Sequence, residues 1–79
     1  MEKNTQTVPQ KHSHQKRKIL RRREVEARTG FARSTIYLKV SQGEFPKPIK
    51  LGARAVGWIE GEIEDWIDEK IDQSRRLNG

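Results

Sequence analysis

Seventy-nine residues with 17 Lys/Arg against 11 Asp/Glu carry a net charge of +6, enough chain for one small domain and too little for two independent cores. Hydrophobic residues are 32% of the chain, which supports a core of about a dozen side chains and excludes a deep catalytic cleft. The absence of cysteine removes disulfides, thiolate zinc sites and cysteine nucleophiles, and no apolar run approaches the ~18 residues of a membrane span.

In chain order, residues 1–18 come first, and Met1 and Val8 are their only sizeable apolar residues. Such a stretch cannot bury enough surface to offset its ordering entropy, and it is expected to be a flexible basic arm. His12 and His14 within it lack a carboxylate or cysteine partner and read as polar residues rather than metal ligands. The expected folded domain covers residues 19–73, with 74–79 as a tail.

A first helix is predicted from Arg22 to Arg28, stopped by Thr29-Gly30, because glycine tolerates the left-handed conformation that ends a helix. A second runs from Arg33 to Gln42 and ends at Gly43. Ala32, Ile36 and Val40 recur every four residues and predict its core-facing stripe. Pro46 and Pro48 then forbid a helix. Ile49-Lys50-Leu51 and Ala55-Val56-Gly57-Trp58 read as two short strands joined by Gly52-Ala53-Arg54, a small β-hairpin with a basic tip. Ile59, Ile63, Trp66, Ile67 and Ile71 fall at helical spacing and predict a last amphipathic helix from Glu60 to Asp72, with Arg75-Arg76 beyond its end. Its early Glu60, Glu62, Glu64 and Asp65 complement the positive end of the helix dipole. Trp66 lies on the apolar stripe and Trp58 opens it, so both read as core residues rather than base-stacking platforms.

The charge is unevenly spread along this order. Residues 1–18 carry five Lys/Arg against one Glu, residues 19–57 nine against three, and residues 58–79 three against seven. A basic front and middle against an acidic rear orients the molecule towards a polyanion.

The fold class is therefore mainly α with a small β-hairpin, in the order helix–helix–hairpin–helix of a winged helix-turn-helix. In such a unit a second helix, held across the first by a short turn, lies in the major groove. With its stripe committed to the core, the Arg33–Gln42 helix turns Ser34, Thr35, Leu38 and Ser41 outward, with Arg33 and Lys39 towards the margins and Tyr37 at the stripe edge. Hydroxyls and cations of this kind reach phosphates and base edges. Ser34 and Thr35 also suit ordinary capping at a helix start. Lys50 and Arg54 are the candidate wing contacts, although a single exposed arginine also serves to keep a turn soluble.

These residues resemble a known family. Ile19-Leu20-Arg21 with Glu24-Val25, then Thr29-Gly30-Phe31 and Arg33-Ser34-Thr35-Ile36-Tyr37, is similar to the start of the AlpA family of phage and prophage regulators. The run Gly43-Glu44-Phe45-Pro46-Lys47-Pro48-Ile49-Lys50-Leu51-Gly52, continued by Arg54-Ala55-Val56-Gly57-Trp58 and closed by Glu62-Ile63-Glu64 and Trp66-Ile67, extends the resemblance over roughly residues 19–71. It implies an excisionase- or MerR-like winged helix that binds double-stranded DNA and activates a nearby integrase gene. By position, it carries Arg33, Ser34, Thr35 and Tyr37 onto the recognition helix and Lys50 and Arg54 onto the wing. The chain departs from the family pattern at three places. Ala32 replaces a usual serine and removes an N-cap, Leu38-Lys39 inverts a basic-then-apolar order, and Ala53 replaces a wing glycine.

The expected function is sequence-specific DNA binding by a prophage-type transcriptional regulator without a cofactor. Integrase, RNA polymerase and self-association on DNA are the further partners this reading admits. An architectural excisionase that bends DNA for an integrase is one alternative; a protein-interaction module working through the acidic last helix is another. An enzyme is not expected, since the serines have no neighbouring histidine base and the carboxylates sit on a solvated helix. The chain is expected to be cytoplasmic, since no secretory h-region follows its start.

Overall fold

The computed structural model describes residues 17–78, in the order β1 (Ile19–Leu20), α1 (Arg22–Thr29), α2 (Arg33–Ser41), β2 (Ile49–Lys50), β3 (Val56–Ile59) and α3 (Glu60–Asn78). The arm expected over residues 1–18, with His12 and His14, lies outside the described residues as far as residue 16. The chain is mainly helical, with three helices and a small antiparallel sheet.

The sheet has three strands rather than the two of a hairpin, in the order β1–β3–β2. Ile19 pairs with Ile59 and Leu20 with Trp58; Ile49 pairs with Gly57 and Lys50 with Val56. The backbone N–H of Glu60 donates to the Lys18 carbonyl at 2.8 Å, so β1 also fixes where α3 begins. Gly57 sits where three strands crowd together. A methyl group there would overlap Ile19 Cγ2 and press on Leu51 Cδ1 at 3.0 Å and the Leu20 carbonyl oxygen at 3.1 Å.

The helix ends follow local chemistry. At the start of α1, the Glu24 carboxylate accepts the Arg21 backbone N–H at 2.9 Å. Arginine has no side-chain acceptor, so this carboxylate makes the capping contact on its own. At the other end Gly30 is left-handed (φ 79°) and its N–H returns to the Glu26 carbonyl at 2.7 Å. Thr29 ties the turn into α2, donating its hydroxyl to the Val25 carbonyl at 2.8 Å and accepting the Phe31 N–H at 3.2 Å. Past α2, Gly43 (φ 74°) donates to the Val40 carbonyl and Glu44 to the Lys39 carbonyl, the paired closure of a Schellman motif.

Leu20, Val25, Ile36, Phe45, Trp58 and Ile63 form the buried core, with Phe31, Val40, Val56, Trp66 and Ile67 packed against it. Ile36 and Val40 thus hold the positions expected of them, whereas Ala32, expected in the core, is exposed at the N-cap of α2. The stripe starts one turn later because Ala32 is extended (φ −76°, ψ 163°) and does not share the helical phase. Two indoles pin the segment after α2: Trp58 Nε1 donates to the Pro46 carbonyl at 2.8 Å and Trp66 Nε1 to the Glu44 carbonyl at 2.9 Å. Phe31, Phe45 and Trp66 meet edge to face, with centroids 4.8–6.2 Å apart.

α3 does not stop near Asp72 but continues to Asn78, which places Arg75 and Arg76 in its last turns. There the two arginines complement the negative end of the helix dipole. Arg28, at the end of α1, reaches α3 through Glu60 at 2.7 Å and Glu64 at 2.5 Å. These carboxylates, led by the hydrogen bond to Glu60, hold the guanidinium above its ordinary range against an opposing desolvation. The pair clamps α1 against α3 at the end opposite Arg21.

Candidate nucleic-acid interface

α2 meets the body through Ile36, which is fully buried, and leaves much of its remaining surface open. Arg33, Ser34, Tyr37, Leu38 and Ser41 are exposed, Leu38 to 56% and Tyr37 to 37%. At 100° per residue Ser34, Leu38 and Ser41 share the outward side of the helix, while Arg33 and Tyr37 lie between that side and the stripe of Ile36 and Val40. Thr35 and Lys39 are only partly exposed and lie on the flank. Ala32 offers no side-chain acceptor to the first N–H groups of α2, so the cap expected to be missing is absent.

Two cations leave this helix in different directions. The Arg33 guanidinium lies over the Tyr37 ring, 5.9 Å from its centroid. Lys39 instead lies over Phe31, 5.3 Å from that centroid, and so on the flank next to the α1–α2 turn. Tyr37 in turn rests against buried Trp58, with centroids 6.1 Å apart and planes 58° apart. Its place at the edge of the apolar stripe is therefore a contact between core and surface.

The same tyrosine opens onto a second group of cations. Arg21, Arg22, Arg23, Tyr37, Arg54 and Val56 line a hollow of about 330 Å³. Three elements build it: the start of α1, the outer side of α2, and the loop joining β2 to β3. The side chain of Arg21 is fixed by its Nε–H, which donates to the Val56 carbonyl at 3.0 Å. Arg22 pairs with Glu26 one turn along α1. Lys50 is exposed on β2 and directly opposite Val56, and cross-strand partners project from the same side of a sheet. The acidic side chains Glu62, Asp65 and Glu69 gather around Pro46 and Trp66 in a different hollow, which shares no lining residue with the first.

Arg33, Tyr37 and Arg54 are thus linked through one tyrosine, with Lys50 on the neighbouring strand, Ser34 and Leu38 alongside, and Thr35 and Lys39 turned to the flank. Arg21, Arg22 and Arg23 are consecutive in the sequence and form a basic cluster there. Their signal is the capping position: a helix that opens on Arg21 holds three consecutive guanidinium groups around its first turn. What joins them to Arg54 is the pairing of β1 with β3, and a two-residue strand announces nothing by periodicity.

No helix among the described residues is long and apolar enough to cross a membrane. Residues 18–71 match the family model described as prophage CP4-57 regulatory protein (AlpA). Among relatives, the chain is 41% identical over 59 residues to the DNA-binding transcriptional activator AlpA of Escherichia coli (strain K12), covering 67% of this chain and 84% of that protein. It is 37% identical over 59 residues to the uncharacterized protein ORF88 of Enterobacteria phage P4, covering 75% of this chain and 67% of the other. The match spans β1 through most of α3, and the chain belongs to the prophage CP4-57 regulatory protein (AlpA) family.

Proposed function

We propose that this protein is a sequence-specific double-stranded DNA-binding regulator of transcription that works as a winged helix-turn-helix. α1 is the supporting helix, α2 enters the major groove, and the β2–β3 loop is the wing. The observation that carries this reading is Tyr37, which touches Arg33 on α2 and shares a hollow with Arg54 on the loop. Groove-reading helix and wing then address one duplex from one side. Arg33, Ser34 and Leu38 reach base edges, the last as an apolar partner for a thymine methyl, while Lys50 and Arg54 engage the backbone of the adjacent strand. Thr35 and Lys39 flank the contact.

The likeness to a DNA-binding transcriptional activator supports the same reading, and activation of an integrase gene is its most specific form. Selection of bound duplexes from a random pool tests it, followed by footprinting of the full chain beside the integrase gene of the source genome. Enrichment of one motif and protection upstream of that gene are expected. A pool that stays random under saturable binding would reduce the protein to a non-specific DNA binder. Absence of any duplex binding would turn attention to the acidic face of α3 as the working surface.

A further inference from the structure

We infer that the hollow formed by Arg21, Arg22, Arg23, Tyr37 and Arg54 is a seat for one phosphodiester of the DNA backbone. The inference rests on the DNA-binding reading above and assigns a role to three arginines it leaves unused.

The lining contains four guanidinium groups, one phenol, one valine and no carboxylate. Only Arg22 is neutralised locally, by Glu26. Arg23 and Arg54 have no ion-pair partner among the described residues. Arg21 is held by its Nε–H on the Val56 carbonyl, which leaves both terminal amino groups of its fork free to meet an anion. Three exposed guanidinium groups without an acidic partner in one concavity make a positive site that attracts a counter-charge, and their donors suit an oxyanion with several acceptor oxygens.

The backbone adds to this. The hollow lies at the start of α1, where the helix dipole is positive and the N–H groups of Arg22 and Arg23, ahead of the Glu24 N–H that donates to the Arg21 carbonyl at 2.9 Å, precede the first intrahelical bonds. These walls are fixed before any ligand arrives, because Arg21 is braced on β3, Glu24 caps the Arg21 N–H, and β1 is paired to β3. Little side-chain entropy is then lost on binding, at least for Arg21.

Position distinguishes a backbone phosphodiester from a free phosphate or nucleotide. Tyr37 is a wall of the hollow and also the neighbour of Arg33 on the exposed face of α2. A duplex lying along that face brings a phosphate past the hollow at the edge of the groove, where the first helix of such a motif crosses the backbone.

The test titrates the full chain against its selected duplex and a random one at several salt concentrations, then against duplexes carrying a single neutral methylphosphonate at each phosphate in turn. Arg23→Ala is the main variant, since Arg23 is exposed and alanine favours helix; Arg54→Ala, in an exposed bend, is the second, and circular dichroism checks that each retains its helix content. For Arg23→Ala, the log–log salt dependence is expected to flatten by about 0.9, with the same fold-loss on both duplexes. One methylphosphonate position that weakens the parent protein is expected to have no further effect on either variant, and Arg23→Lys is expected to restore the slope. An unchanged slope in Arg23→Ala, or losses that multiply independently at every phosphate, overturns the seat while the parent still binds duplex. A parent protein that binds no duplex overturns the DNA-binding reading and the seat with it. Equal binding of inorganic phosphate and duplex at the hollow would replace the backbone by a small anion and likewise overturn the proposal.

Discussion

Tyr37 rests on Trp58: their ring centroids are 6.1 Å apart, and the tryptophan is fully buried while the tyrosine is more than a third exposed. The pair carries rigidity from the core to the outer face of α2. Trp58 is itself fixed at its far side, where its indole N–H meets the Pro46 carbonyl at 2.8 Å. Position of α2, path of the proline segment and register of β3 therefore converge on one side chain.

Replacing that indole by a benzyl ring tests the convergence. Trp58→Phe keeps an aromatic body but leaves the Pro46 carbonyl without its donor, and is expected to cost about 1–3 kcal/mol. Urea denaturation followed by circular dichroism measures it, and an unchanged midpoint would mean that water replaces the indole without loss.

Gly57 is expected to resist substitution for a steric rather than a conformational reason. Gly57→Ala forces a methyl group between Ile19, Leu51 and the Leu20 carbonyl. Overpacking of this kind costs about 1–3 kcal/mol, and thermal unfolding of the variant reads it directly. A melting temperature equal to the parent's would show that β1 can move aside.

At Ala32 the expected change is a gain. This residue has the extended backbone of an N-cap but no side-chain acceptor. Ala32→Ser supplies a hydroxyl for the N–H of Ser34 or Thr35 and is expected to add about 0.5–2 kcal/mol of stability. A variant no more stable than the parent in urea would indicate that water already satisfies those groups.

Arg33 and Arg54 are expected to fail differently on DNA. Arg33→Ala should lose about 1–3 kcal/mol on the selected sequence and less on random duplex, whereas Arg54→Ala should weaken both alike. Competition binding against the two duplexes separates these outcomes. Equal losses on both from Arg33→Ala would remove its base-reading role.

Much of this architecture can be read from the chain. The ends of α1 and α2 follow from Thr29-Gly30 and from Gly43, and the buried faces of α2 and α3 from the four-residue spacing of Ile36 and Val40 and of Ile59, Ile63 and Ile67. Features that depend on distant pairing cannot be read this way. Ile19-Leu20 is too short to show alternation, and its partners Ile59 and Trp58 lie about forty positions along. The apolar stripe of α3 fades near Asp72 and predicts its end there, yet helix propensity and the closing arginines carry it on to Asn78. Lys39 could be placed at the margin of α2 by phase alone, but its attachment to Phe31 depends on how the preceding turn folds back. Arg21, Arg22 and Arg23 are evident in the sequence as charge, while their meeting with Arg54 is a property of the sheet.

That sheet hangs from its middle strand. Because β1 and β2 both register on the four residues of β3, the separation between the arginines entering α1 and the arginine on the loop is gauged by a single short stretch of backbone. A slip of one residue there would rotate every pairing at once, while a longer or shorter loop at Gly52–Arg54 would shift one cation and spare the others. Diversification within this scaffold is thus channelled into loop length and side-chain exchange, with the strand beneath held constant.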